Sequence, residues 1–367
     1  MNKIDGISGL RGIVALIIVV YHLQLLRPIE NLSSWNWDLY QFVNMFPVVV
    51  VIFFILTGLL RSLGYWGSIF HNKKIPDTRT IMIDRWWRIA PAYYIVLIAS
   101  FCWSIYMLGF HSDLLIALLS GFTFFNWVSP YTFFPAPLNG PLWFIGYDMM
   151  GYIFTVIMML GLTKISKKYI IPMILFYGVI FLNLHFLFIS LPWPMASGIA
   201  SVWFPYYNPF LFALYAIMGI IIGGIITRYG TQQKNLKWDI SFLLILWSIG
   251  YYLWIIRWAP DLAYSYPMSP YRFPIIPVLW VLGILSLIYS QYLGRWFDNR
   301  YFLFLASISY SLYLWHGLII DILKSTIFTH ISVSFLEWGI FSCITLMLSF
   351  LVAILSVRYL EGFRWKR

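Results

Sequence analysis

Ten stretches of mostly apolar residues follow one another along the chain, at 7–26, 42–63, 86–109, 141–163, 169–190, 209–228, 238–257, 273–292, 303–324 and 333–358. A helix rising about 1.5 Å per residue needs roughly 20 apolar residues to cross the hydrocarbon core of a bilayer. The pattern therefore predicts an all-α fold, a polytopic transmembrane helix bundle of about ten spans. An eleventh apolar piece, Leu114–Trp127, is short for a crossing and reads as a re-entrant or interfacial segment. No polar stretch is long enough for a soluble domain, so residues 1–367 read as one membrane-embedded domain. The first apolar stretch follows a basic start at Lys3 like a secretory signal. It lacks a small-residue cleavage site and reads as the first helix.

Charge supplies the orientation. Lysine and arginine concentrate in loops on the cytoplasmic side of a membrane protein. With ten crossings, the clusters around Lys73, Lys74, Arg79, Arg85 and Arg88, around Lys164, Lys167 and Lys168, around Arg228, Lys234 and Lys237, at Arg295 and Arg300, and at the C-terminus all fall on one side. Only Arg27, Arg257, Arg272 and Lys324 of the 24 basic residues fall on the other. Letting Leu114–Trp127 cross would move the Lys164 cluster outward and spoil the asymmetry. Both termini are thus expected in the cytoplasm, with outer segments near 27–41, 110–140 and 191–208 and the bacterial inner membrane as the setting.

Composition agrees: 61% of residues are hydrophobic, 21% aromatic and only 10% charged, against roughly a quarter charged in soluble domains. The net charge of +11 is dispersed between apolar runs, so the partners expected from it are membrane lipids and not nucleic acid. Cys102 and Cys343, each inside an apolar run, give neither a disulfide framework nor a metal site and read as small buried residues. Gly219, Gly223 and Gly224 form a small-xxx-small pattern for close helix packing.

Ionisable groups inside spans are costly and therefore functional candidates. Arg11 and His22 share a face of the first helix, about 16 Å apart along its axis at 1.5 Å per residue. Counted from the outer ends of their helices, His22, Asp148, His185 and His316 lie at a similar depth, roughly 6 to 12 Å below the outer surface. An imidazole beside a carboxylate is the usual general-base arrangement, the carboxylate fixing the tautomer. His185 reads as the bystander of the four. Arg11, Arg61, Arg85 and Arg88 form a second layer near the inner ends of the first three helices, where guanidinium groups suit phosphate. Tyr310 and Tyr313 are candidate oxyanion donors.

These same residues carry a resemblance. Leu10-Arg11-Gly12 followed by Tyr21-His22 resembles the Arg-x10-His first helix of the acyltransferase-3 membrane family, and Phe53-Phe54-Ile55-Leu56-Thr57-Gly58 resembles its second-helix signature, with Thr57 where Ser is commoner. Arg85-Trp86-Trp87-Arg88-Ile89-Ala90-Pro91 is similar to its Arg-x-x-Arg-Ile-x-Pro segment. Leu142-Trp143-Phe144-Ile145-Gly146-Tyr147-Asp148 is similar to its Leu-Trp-Ser-Leu-x-x-Glu stretch, with Phe144 in place of Ser and Asp148 in place of Glu. Ile308 to His316 resembles its late-helix motif, and Tyr359-Leu360-Glu361 its C-terminal end. The motifs run in order along essentially the whole chain.

The resemblance implies an O-acyltransferase that moves an acyl group, usually acetyl, from cytoplasmic acetyl-CoA to a lipid-linked or envelope carbohydrate such as lipopolysaccharide O-antigen or exopolysaccharide. His22, with Asp148 and His316, would be catalytic, and Arg11, Arg61, Arg85 and Arg88 would bind the donor. A polytopic transporter or flippase with an intramembrane His/Asp proton relay is the competing reading, and a structural partner in an envelope assembly a third. Neither the inverted repeats nor the broken helices expected of a transporter are evident.

Overall fold

The computed structural model describes residues 4–28, 34–194, 199–257, 271–329 and 334–361, and its regular structure is helical. In chain order the helices are α1 (Ile7–Gln24), α2 (Ser34–Val43), α3 (Val51–His71), α4 (Thr78–Leu108), α5 (Ser112–Phe122), α6 (Trp143–Thr163), α7 (Ile170–Ser190), α8 (Ile199–Trp203), α9 (Pro209–Tyr229), α10 (Leu236–Ile256), α11 (Ile275–Tyr289), α12 (Leu293–Phe297), α13 (Arg300–Thr326) and α14 (Phe335–Ser356). Among the described residues nine helical stretches are long and apolar enough to cross a membrane. They coincide with nine of the ten expected spans, and the chain is a multi-pass membrane protein.

The expected span 273–292 is the exception in length. It forms α11, of 15 residues, which at about 1.5 Å per residue reaches only some 22 Å. Asp239 stops it: its carboxylate accepts the backbone N–H groups of Gln291, Tyr292 and Leu293 at 2.7 to 3.1 Å, turning the chain into α12. α5, with 11 residues, reaches about 16 Å on the same rise, roughly half a hydrocarbon core. The segment after it is folded inward by Asn126, whose buried amide donates to the carbonyls of Phe133 and Trp143.

Helix starts follow from capping side chains. Asp77 accepts from the backbone of Arg79 and Thr80 and from the Thr80 hydroxyl at the start of α4, and the Thr80 bond above all holds its carboxyl below the usual range. Asn208, Asn235, Asn299 and Ser334 cap α9, α10, α13 and α14 in the same way.

Two closely packed helix pairs organise the interior. α3 lies against α9, where Gly58 and Gly219 leave no room for a side chain: a Cβ at Gly219 would stand 1.9 Å from the Ile55 carbonyl oxygen. α1 lies as tightly on α13, since a Cβ at Gly12 would come within 2.5 Å of the Ala306 nitrogen. Backbones that touch at glycine gain packing that lipid-facing surface cannot supply. The helices divide accordingly, with 67% of the apolar window buried in α6, α9 and α13 but 11% in α7. Cys102 and Cys343 fall on exposed surface, correcting the expectation of burial. In a membrane protein an apolar run has lipid as an alternative apolar environment, so hydrophobicity alone does not report protein contact.

Candidate active site

The close approach of α1 and α13 brings two histidines together. His316 Nε2 lies 3.2 Å from His22 Nδ1, with ring centroids 5.0 Å apart. His316 Nδ1 faces the carbonyls of Tyr313 at 2.7 Å and Leu312 at 3.2 Å, and His22 Nδ1 faces that of Ile18 at 2.8 Å. Carbonyl oxygens only accept, so in the neutral rings each Nδ1 carries the hydrogen; this tautomer is assigned from the partners. His22 Nδ1–H is then shared between Ile18 and the lone pair of His316 Nε2. The lone pair of His22 sits on Nε2, as a base on the outer-pocket side of α1 requires.

That outer pocket is bounded by His22, Trp143, Tyr207, Tyr271 and Tyr313, with the amides of Gln41 and Asn44 and the guanidinium groups of Arg257 and Arg272. Arg257 is paired with Asp38 at 3.0 Å. Tyr207 meets Trp143 and Tyr271 edge to face. Aromatic planes beside amide groups form the kind of wall that takes the apolar face and the hydroxyls of a polar ring.

A second, inner pocket gathers Arg11, Arg61, Arg85 and Arg88 with Thr57, Asp148 and Glu361. Arg11 Nη2 donates to Ala306 O at 2.8 Å, fixed by the glycine contact of α1 on α13. Arg85 pairs with Asp148 Oδ2, whose other oxygen accepts from Thr57 at 2.9 Å. Arg61 and Arg85 both lie over the Tyr152 ring, at 5.0 and 5.4 Å. Glu361 accepts from Ser311, whose oxygen in turn accepts from the Ser356 hydroxyl at 2.7 Å. Four guanidinium groups facing two carboxyl groups, with Arg11, Arg61 and Arg85 partly buried and Arg88 exposed at the rim, make a pocket suited to a polyanion.

Among the described residues Tyr313 alone lines both pockets, and it belongs to the same helix as His316. Its neighbour in the partition is Phe144, which lines the inner pocket while the adjacent Trp143 lines the outer one.

The expected residues thus separate into two groups. The four arginines do meet, and so do His22 and His316. Asp148 does not join the histidines: it lies in the arginine pocket, bound to Arg85 and Thr57. The depth count misplaced it because α6 starts inside the protein, at the buried Leu142 and Trp143, after the inward-folded segment 123–142. His185 is buried and its Nδ1 faces the Asn208 amide nitrogen at 2.7 Å, a bond that ties α7 to the start of α9. Neither tyrosine has a hydroxyl hydrogen to spare for an oxyanion, since Tyr310 donates to Ile89 O at 2.8 Å and Tyr313 to Pro141 O at 2.5 Å. Tyr152 was not anticipated, and its place one turn beyond Asp148 on α6 is the signal that could have found it.

The acyltransferase-3 family model, described as an acyltransferase domain, matches residues 4–354. No curated protein and no solved structure matches. The match spans nearly the whole chain, and the chain belongs to that family.

Proposed function

We propose that this membrane acyltransferase carries an acyl group, acetyl in preference, from cytoplasmic acyl-CoA to a hydroxyl of a lipid-linked or envelope glycan such as lipopolysaccharide O-antigen or exopolysaccharide, in the bacterial inner membrane with both termini in the cytoplasm. The observation that carries the reading is the arrangement of two pockets sharing Tyr313, with arginines in one and the base-competent His22 in the other. Phosphates of the donor would sit among Arg11, Arg61, Arg85 and Arg88. Its pantetheine arm would run along α1, covering the roughly 16 Å from Arg11 to His22.

In the transfer step His22 Nε2 takes the proton of the acceptor hydroxyl as that oxygen bonds to the thioester carbonyl carbon. The carbon–sulfur bond breaks, and the proton passes from His22 to the departing sulfur, leaving free CoA thiol and an O-acyl ester. While His22 is protonated, Ile18 O and His316 Nε2 accept its Nδ1–H and hold the imidazolium in place. Positioning of donor and acceptor supplies much of the remaining acceleration.

A flippase with a His/Asp relay is less well supported, because Asp148 bonds Arg85 and Thr57 instead of an imidazole. The test is thermal unfolding of the detergent-purified protein with acetyl-CoA. A ligand that binds only the folded state raises the midpoint, so the wild-type protein is expected to be stabilised and an Arg85→Ala variant much less. No stabilisation at any acetyl-CoA concentration would remove the donor assignment.

A further inference from the structure

On the reading above, the acyl group has to travel from the arginine pocket to the His22 pocket, and what separates the two is aromatic. We propose that Phe144 and Tyr313 form a constriction that restricts transfer to short acyl chains, making Phe144 a determinant of donor specificity.

Both rings are held by packed neighbours. Phe144 packs on Phe53 at 5.7 Å, on Phe54 at 4.9 Å and on Tyr313 at 5.3 Å between centroids. Phe54 is itself stacked on Phe212 at 4.2 Å, so on that side Phe144 is backed by a second layer of rings. Tyr313 is anchored through its hydroxyl to the Pro141 carbonyl. Phe144 and Tyr313 are each only 7% exposed, and the open space beside them is that of the pockets they line.

A thioester carbonyl offered to a hydroxyl beside His22 sits at this constriction. Whatever follows the carbonyl carbon must lie against Phe144 on the inner side or Tyr313 on the outer. A methyl group fits beside a packed ring at small cost. Each further methylene has to displace ring atoms that are themselves backed by other rings, and close-packed interiors yield poorly to added volume. A single methylene in a well-formed apolar pocket typically changes specificity by about 10- to 200-fold. Replacing Phe144 by a small residue opens space on the inner side, where Leu56 and Ile89 also line the pocket, so the gain should go to longer apolar chains.

The experiment uses native membranes of a strain lacking the chromosomal copy, expressing wild type, Phe144→Ala or Phe144→Leu. Radiolabelled acetyl-, propionyl- and butyryl-CoA are supplied separately, and label entering the envelope glycan fraction is measured. Wild type is expected to favour acetyl over butyryl by at least about 100-fold. Phe144→Ala should shrink that ratio by at least about tenfold, with Phe144→Leu between the two. Phe144→Leu keeps most of the apolar bulk, so it decides the matter if the alanine variant fails to accumulate. A ratio unchanged in every accumulating variant, or wild type using butyryl as well as acetyl, overturns the proposal alone. No incorporation by wild type from any of the three thioesters overturns the acyl-CoA reading as well.

Discussion

Arg85 and Asp148 offer a measurement whose size follows from their surroundings. Their side chains are 15% and 10% exposed, too little for solvent to screen the pair as it screens surface ion pairs, which are worth about 0–1 kcal/mol. Removing one member of a buried pair typically costs about 3–5 kcal/mol, because the other charge is stranded. Asp148→Asn keeps a neutral oxygen for Thr57, and a hydrogen bond to a charged group is worth about 1.5–3 kcal/mol, so the loss should lie near the lower figure, about 2–3 kcal/mol. Arg85→Gln relieves the crowd of guanidinium groups even as it strands the carboxylate, and should cost less. The two changes together should cost clearly less than their sum, with a coupling of at least about 1.5 kcal/mol within the range found for residues in one network. Unfolding of the four proteins in mixed micelles with rising SDS measures this directly. Additivity within about 0.5 kcal/mol, the behaviour of independent sites, would refute the pairing. The same variants separate two roles for the carboxylate: turnover of Asp148→Asn at saturating donor should stay within about tenfold of wild type, as expected of a group that does not orient the imidazole.

His22→Ala should lower turnover by roughly 10²-fold or more while acetyl-CoA affinity, measured by calorimetry, persists. His316→Gln, which retains an acceptor near the position of Nε2, should keep more glycan acylation than His316→Leu, and His316→Leu should add little to the defect of His22→Ala; independent losses in the double variant would count against the imidazole pair. Arg11→Ala and Arg88→Ala should raise the apparent KM for acetyl-CoA in membrane assays with normal expression, whereas unchanged values would return them to simple anchoring. Ser112→Cys, in a background lacking Cys102 and Cys343, should react with an impermeant thiol reagent in intact cells; labelling only after permeabilisation would reverse the orientation.

Much of the fold was legible because each span is a local property: some 20 apolar residues in a row suffice. The limits of α11 were not, since what stops it is a carboxylate from α10 reaching across to three backbone N–H groups. The arginine cluster was readable because the charge pattern assigned the ends of α1, α3 and α4 that carry it to one side. The meeting of His22 and His316 rests on Gly12, seated against the α13 backbone, and on Gly9, seated against Phe297 at the end of α12, contacts that require knowing which helices are neighbours. Asp148 shows the cost of counting depth from an assumed helix end: six residues into α6 means little when the helix begins inside the protein.

The contrast between well-covered helices such as α6, α9 and α13 and bare ones such as α7 bears on how this chain tolerates change. Lipid tails are about as apolar as leucine, so at Ile171, Leu175 or Val179, all exposed on α7, exchange among Leu, Ile, Val and Phe alters neither packing nor solvation appreciably. At Gly12, Gly58 or Gly219 even one added methyl must push a backbone aside. A saturation library should therefore record two alphabets: on the outer helices a two-letter code that distinguishes only oily from polar, and at the inner contacts a code in which size is read to the single carbon.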